Sequence, residues 1–178
     1  MRFLVGAGGW QYFKIPFMDP LEAYSKAFDF VEVNSTFYVF PTLKTVKSWR
    51  QKTPENFEFT VRCNRKVTHK YKLKPTVEAV EALEKTVEIC RVLKSKILIL
   101  QTPPTLKFTQ EKIRDLEKLL DKVDLTGISI ALEARGGVTH ELQSFMIENN
   151  VIHCVDLSVE TPLTRPETVY SRLFGKGE

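Results

Sequence analysis

A chain of 178 residues with 43% hydrophobic and 27% charged residues has enough apolar surface to bury a core. That balance excludes a disordered or fibrous state and fits one domain over residues 1–178. The net charge of +4 comes from 26 basic residues largely interleaved with 22 acidic ones, which is the pattern of a solvated surface rather than of a dedicated nucleic-acid face.

The first apolar run, residues 2–10, reads as a strand closing in the glycine turn GAGGW. Asp19, Pro20 and Glu22 supply the cap, the first-turn proline and the capping acid of a helix beginning near residue 20. DFVEVNSTF forms a second strand, and residues 42–52 a helix that turns Val46 and Trp49 inward. NFEFTVRCN, 56–64, alternates as a third strand. From Thr76 to Leu93 the residues Val77, Val80, Leu83, Val87, Cys90 and Leu93 recur three or four apart, which predicts a helix with one apolar face. KILILQTPP, 96–104, is a continuous apolar run closed by two prolines, as expected of a strand covered on both faces. Thr109 opens a helix with Ile113, Leu116, Leu120 and Val123 as its buried stripe. GISIALEAR (127–135) is a fifth strand, 139–149 a helix, VIHCVDLSV (151–159) a sixth strand and TVYSRLFG (168–175) a seventh.

Strands alternating with helices imply parallel pairing through right-handed crossovers. A (β/α) barrel and an open doubly wound sheet both fit. GAGGW lacks the third glycine of a dinucleotide fingerprint and no P-loop lysine follows it, so the nucleotide-binding sheet loses support. The expected fold is α/β, a TIM-barrel-like parallel barrel, incomplete at about seven strands. The apolar amino-terminal run is too short for an export signal and no apolar run is long enough to span a bilayer, so no membrane role and a cytoplasmic location are expected. Cys63, Cys90 and Cys154 are far apart, which excludes a disulfide framework and a CxxC metal knuckle; Cys90 and Cys154 belong to apolar faces.

Polar residues interrupt the strands at one recurring place. Glu32 and Asn34 end the second, Arg62 and Asn64 the third, Gln101 the fourth, Glu133 and Arg135 the fifth, Asp156 the sixth, and Arg172 lies in the seventh. Each follows an apolar stretch toward the carboxyl end of its strand, where barrels and open α/β sheets place their binding crevice. Residues two apart share a face, so Glu32 with Asn34 and Glu133 with Arg135 form inward pairs. A buried carboxylate needs partners, and an internal salt-bridge network joining Glu133 to Arg62 or Arg135 is the structural alternative to a functional cleft. The acid-free basic stretch RCNRKVTHKYKLK, 62–74, reads as a solvated loop or, alternatively, an anion-attracting rim.

VEVNSTFY, the F-x-F-x-V run leading to TH at 57–69, QTPP at 101–104, Glu-x-Arg at 133–135 and YSRLFG at 170–175 resemble, in order, the motifs of the domain-of-unknown-function 72 family, the YecE-like proteins. The resemblance spans nearly the whole chain. It implies a TIM-barrel-like fold with no established activity, one compared with sugar isomerases. Arg62 stands where the family usually carries lysine, and Gly136 and Phe174 stand where it usually carries histidine. A full barrel runs to about 250 residues, so a final strand and helix are expected to be missing. A fragment, a shortened fold, or closure by another chain would each explain this, and the unpaired edges favour a homo-oligomer or a partner closing the barrel.

The leading functional expectation is acid–base chemistry on a small polar, anionic substrate such as a sugar phosphate or nucleotide fragment. Glu32 and Glu133 are the acid–base candidates, Arg62, Arg135 and Arg172 the anion clamps, Asn34 and Gln101 the groups that orient hydroxyls, and Tyr38 and Trp10 the stacking walls. A metal variant sets Glu32, Glu133 and Asp156 around Mg²⁺ or Mn²⁺ with His69 or His153 nearby, though no HExxH or facial-triad spacing supports it. His69 is kept as a site residue, His153 reads as a hydrogen-bonded core residue and His140 as exposed. The alternatives are a nucleic-acid-binding module, with the 62–74 stretch and the aromatics Phe37, Tyr38, Phe40 and Tyr71, and a non-catalytic scaffold.

Overall fold

The computed structural model describes residues 2–164 and 167–174. Six strands, β1 (Gly6–Gly8), β2 (Phe30–Val33), β3 (Glu58–Arg62), β4 (Ile97–Thr102), β5 (Ser129–Ala134) and β6 (Ile152–His153), lie in chain order in one sheet, every pair parallel. The crossovers carry α1 (Pro20–Ala27), α2 (Leu43–Gln51), α3 (Val77–Leu93), α4 (Gln110–Leu120) and α5 (His140–Glu148). Their starts follow directly from sequence. The Asp19 carboxylate accepts from the amides of Leu21 and Glu22, and Thr42, Thr76, Thr109 and Thr139 each accept from the amide three residues on.

Alternation along the strands sorts side chains onto two unlike faces. Val31, Val33, Phe59, Val61, Leu98, Leu100, Ile130 and Leu132 join Leu83, Leu93, Leu116, Leu142 and other helix residues in the main core. Among the described residues the opposite face holds a small apolar cluster of Ile99, Ala131, Ile152, Cys154 and Tyr170, with Phe30 and Ile97 packed against it and no helix residue among them. A doubly wound sheet carries helices on both faces; among the described residues they cover one.

Several elements are shorter than the sequence predicts. Residues 2–10 pair only at Gly6–Gly8, and β6 spans two residues of the predicted nine. Instead of a seventh strand there is one parallel bridge, Val155 to Ser171, with the Arg172 amide donating to the Val155 carbonyl at 3.1 Å; Gly175 lies outside the described residues. A closed barrel is therefore not present among the described residues. The basic 62–74 stretch is also not a simple loop. It makes a π-helical turn over Lys66–Lys70 that buries Val67, Thr68 and Leu73 while Arg65, Lys66, Lys70, Lys72 and Lys74 face solvent. Among the described residues no helix is long and apolar enough to cross a membrane.

On α3 the buried face is rotated from the predicted one. Leu83, Val87, Cys90 and Leu93 are buried as expected, but Ala79, Ala82, Thr86 and Ile89 join them and Val77 is 72% exposed. Val77 is the first residue of α3 and lies off its buried face. Leu83→Ala is expected to cost about 2–5 kcal/mol and Val77→Ala less than about 0.5 kcal/mol, as measured by urea unfolding.

Candidate functional site

The polar residues that interrupt the strands converge one pleat above the small apolar cluster. Glu32 follows Phe30, Gln101 follows Ile99 and Glu133 follows Ala131, each two residues nearer the carboxyl end and on the same face. Arg62 stands above Thr60 in the same way. Glu32, Gln101 and Glu133 are all buried, at 3, 2 and 7% exposure, so their polarity has to be met by one another.

Arg172 does most of this. Its Nε lies 3.2 Å from Glu32 Oε2 and its Nη1 donates to Glu133 Oε2, so one guanidinium joins a carboxylate on β2 to one on β5. Glu133 also accepts from Gln101 Nε2 at 2.9 and 3.0 Å and from Arg135 Nε at 2.6 Å, leaving neither oxygen without a donor. Gln101 in turn accepts from Arg62 Nη2, whose Nη1 donates to Asn34 Oδ1 at 3.4 Å. Asn34 fits because position 8 is glycine: a β-carbon there would stand 2.4 Å from the Asn34 amide nitrogen. Tyr170 donates to Glu32 Oε2 at 2.8 Å and lies 3.0 Å from Thr60 Oγ1. Glu32 Oε1 and Arg62 Nε remain buried with no partner among the described residues.

The charges follow from these contacts. Burial alone would raise the Glu133 pKa, but the Gln101 hydrogen bonds and the Arg172 and Arg135 guanidiniums outweigh it and hold the carboxyl below the usual glutamate range. Burial, then the neighbouring Glu32 charge, pushes the Tyr170 phenol up, so it stays a donor. Burial and the repulsion of Arg172 lower the Arg62 pKa, with Glu32, Tyr38 and Glu133 opposing. Burial and the charges of Arg62, Arg65 and Arg135 lower that of His69.

The predicted residues thus divide. Glu32, Asn34, Arg62, Gln101, Glu133, Arg135 and Arg172 form one bonded layer. Tyr38, 64% exposed, and His69 stand at its rim, both edge-on to Phe37 at 4.9 and 5.0 Å between centroids. Asp156 is not in the layer: its carboxylate accepts from Ser158 and from the Phe174 amide. It does line a neighbouring cleft of about 440 Å³ with Glu133, Arg135, Cys154 and Phe174. Trp10 is not a pocket wall, because it packs edge-on against Trp49 in the helix-side core. Asn64 is structural, its amide donating to the Thr36 carbonyl at 2.8 Å. His153 is a hydrogen-bonded core residue, its Nδ1 accepting from the Leu163 amide at 3.1 Å. Among the described residues no three His, Cys, Asp or Glu side chains converge as metal ligands, so Glu32, Glu133 and Asp156 do not form the oxygen set proposed for Mg²⁺ or Mn²⁺.

Tyr170, Thr60 and Phe174 were missed by sequence reasoning. Tyr170 was legible in principle, lying two residues before Arg172 and so on its face. Phe174 stacks 5.2 Å from both the Arg135 and the Arg172 guanidinium; the Arg135 contact joins distant segments, which spacing cannot reveal. Gly136, where the resemblance calls for histidine, has no room for a side chain: a β-carbon there would stand 1.9 Å from the Leu106 carbonyl oxygen.

Glu133→Gln is expected to lower stability at pH 7 by about 3–5 kcal/mol, the cost of breaking a buried ion pair from one side. Because the native pKa is depressed, the Glu133 contribution is whole above the ordinary value of about 4.3 and is lost as pH falls through the native value. Urea unfolding across the acid range should give a shallower pH slope for Glu133→Gln than for the parent.

The fold resembles those of solved structures. A DUF72 family protein from Thermotoga maritima MSB8 matches with a TM-score of 0.74 at 24% identity over 98% of this chain and 75% of its own. Two structures of a DUF72 family protein from Enterococcus faecalis V583 match with TM-scores of 0.69, at 20 and 18% identity. They are covered over 60 and 72% of their length by 85 and 96% of this chain. The chain thus spans 60% of the length of one Enterococcus structure and about three quarters of the other Enterococcus structure and the Thermotoga structure. No curated protein matches it. The model of the family described as "Protein of unknown function DUF72" matches residues 4–178, and the chain belongs to that family.

Proposed function

We propose that the bonded layer is an active site for acid–base chemistry on a small, polar, anionic substrate, with Glu32 as the general base. The observation that carries this reading is the pair of buried, unpartnered groups, Glu32 Oε1 and Arg62 Nε. An unsatisfied buried acceptor costs free energy that a purely structural network would avoid. Glu32 Oε2 is held by Tyr170 and Arg172, which fixes the carboxylate and leaves Oε1 to take a proton. Glu133 has both oxygens occupied and serves to orient Arg172, Arg135 and Gln101, so of the two carboxylates it is the weaker base candidate. Arg62 supplies a positive charge beside oxygen on which negative charge develops.

In the same reading the sheet is part of a TIM-barrel-like, single-domain architecture in which the 170–172 segment stands in the seventh strand position. Its side chains reach Glu32 and Thr60 on β2 and β3 while its backbone bridges to Val155 beyond β6. The hollow is then the carboxyl-end crevice of that fold. A nucleic-acid-binding role has less support. Phe37 lies beneath Arg62, Phe40 and Tyr71 pack against the core, and Tyr38 alone of these aromatics is exposed.

Incubation with a panel of sugar phosphates and hydroxy acids in D₂O, followed by proton NMR, tests the proposal. The parent is expected to exchange a substrate C–H or to turn over one member. Glu32→Gln should slow this by about 10²–10⁴-fold at a temperature where circular dichroism shows the variant folded, even though breaking its pair with Arg172 lowers the melting temperature. Absence of exchange and turnover across the panel, or a Glu32→Gln variant whose only defect is a collapsed melting temperature, would reject the role.

A further inference from the structure

The layer runs outward into a rim of positive charge. Arg62 Cζ lies 3.7 Å from the Phe37 ring centroid, and its bonded partners are the neutral amides of Gln101 and Asn34. Among the described residues it makes no ion pair with a carboxylate within 4.0 Å, and its Nε is buried without a partner. The edge of the same Phe37 ring meets His69, 5.0 Å between centroids and nearly perpendicular, so Phe37 holds Arg62 and His69 side by side. His69 Nδ1 is paired with Thr68 Oγ1 at 2.8 Å, which leaves Nε2 as the nitrogen open to a ligand. Arg65 precedes His69 by four residues across the π-helical turn. Arg135 approaches from the end of β5, bound to Glu133 through Nε alone, with its side chain 40% exposed.

We propose that Arg62, Arg65, Arg135 and His69 form an anion subsite on this rim, which takes the phosphate of a small phosphate monoester whose remaining part reaches Glu32. The assignment deepens the acid–base reading above and names its substrate class. Guanidinium donors match phosphate oxygens in pairs, and a dianion is the charge that would balance a cluster of this sign. Phe37 and Thr68 are the neutral groups that touch His69. The charges that act on it are those of Arg62, Arg65 and Arg135, and no carboxylate counters them.

This arrangement links anion binding to proton uptake. In the empty site burial and the three guanidiniums hold the imidazole neutral below its ordinary range. A bound dianion reverses the sign of its surroundings and raises the value again. Between the empty-site and bound-site values, affinity therefore increases as pH falls.

The test is NMR of the His69 ring during titration with inorganic sulfate, which stays dianionic across pH 5–8 and so isolates the protein's own proton. Sulfate should saturate, should raise the apparent His69 pKa, and should bind more tightly at pH 5.5 than at pH 8. Arg65→Ala removes an exposed side chain and should leave the fold intact while weakening sulfate about tenfold. Inorganic phosphate should bind at least about tenfold more tightly than dimethyl phosphate, a monoanionic diester. A His69 titration unmoved by sulfate, unchanged sulfate affinity in Arg65→Ala, or equal binding of the diester would overturn the subsite. Glu32→Gln separates the two readings. It should keep sulfate binding while losing C–H exchange, so loss of sulfate binding in the parent refutes the subsite alone, and absence of Glu32-dependent exchange refutes the base alone.

Discussion

Glu32 and Glu133 come from strands separated by two others, and Arg172 lies between them with a nitrogen on each. Two carboxylates this deeply buried and facing a common hollow would repel each other and lose their hydration. A shared guanidinium converts that repulsion into a three-membered ion cluster. The cost of desolvating these ions is high, so the cluster stabilises the fold less than apolar packing of the same volume would. Its geometric consequence is larger. Arg172 ties the 170–172 segment across the face of the sheet, although the backbone of that segment pairs through a single bridge.

The unlike faces of the sheet prepare for this arrangement. Helices cover one face, and the core between them and the sheet holds most of the apolar burial, which leaves the other face to carry polarity. A floor of Ile99, Ala131, Ile152 and Cys154 isolates the polar layer from below. Buried there, the Cys154 thiol is pushed up to a value that keeps it protonated, with the Glu133 charge adding to the effect of burial, so the sulfur acts as a packing group under the carboxylates. Above the floor, among the described residues, two buried side-chain atoms of the layer lack a partner, Glu32 Oε1 and Arg62 Nε.

Much of this plan was legible in the residues. The order of strands and helices, the threonine caps and the convergence of Glu32, Gln101 and Glu133 followed from periodicity and from polar groups recurring at strand ends. What spacing could not supply was pairing. The reach of β1 and β6 depends on which neighbours offer hydrogen bonds, so apolar runs of nine residues shrank to three and two. The assignment of Arg172 to both carboxylates needed the approach of segments 39 residues away for Glu133 and more than a hundred for Glu32. Trp10 misled because a large aromatic after a strand fits a core as readily as a pocket, and only contact with Trp49 decides between them. Asp156 misled because an acidic residue after a strand also caps a turn, which is what it does here.

Gly8 shows how far such dependence extends. The residue carries no functional group, yet the empty volume above its Cα is where the Asn34 amide rests, and Asn34 in turn steadies one arm of Arg62. A single methyl on β1 would therefore be felt two strands away, as a tilt of the guanidinium. Drift in the chemistry of this hollow can thus begin at a position that touches neither a proton nor a substrate.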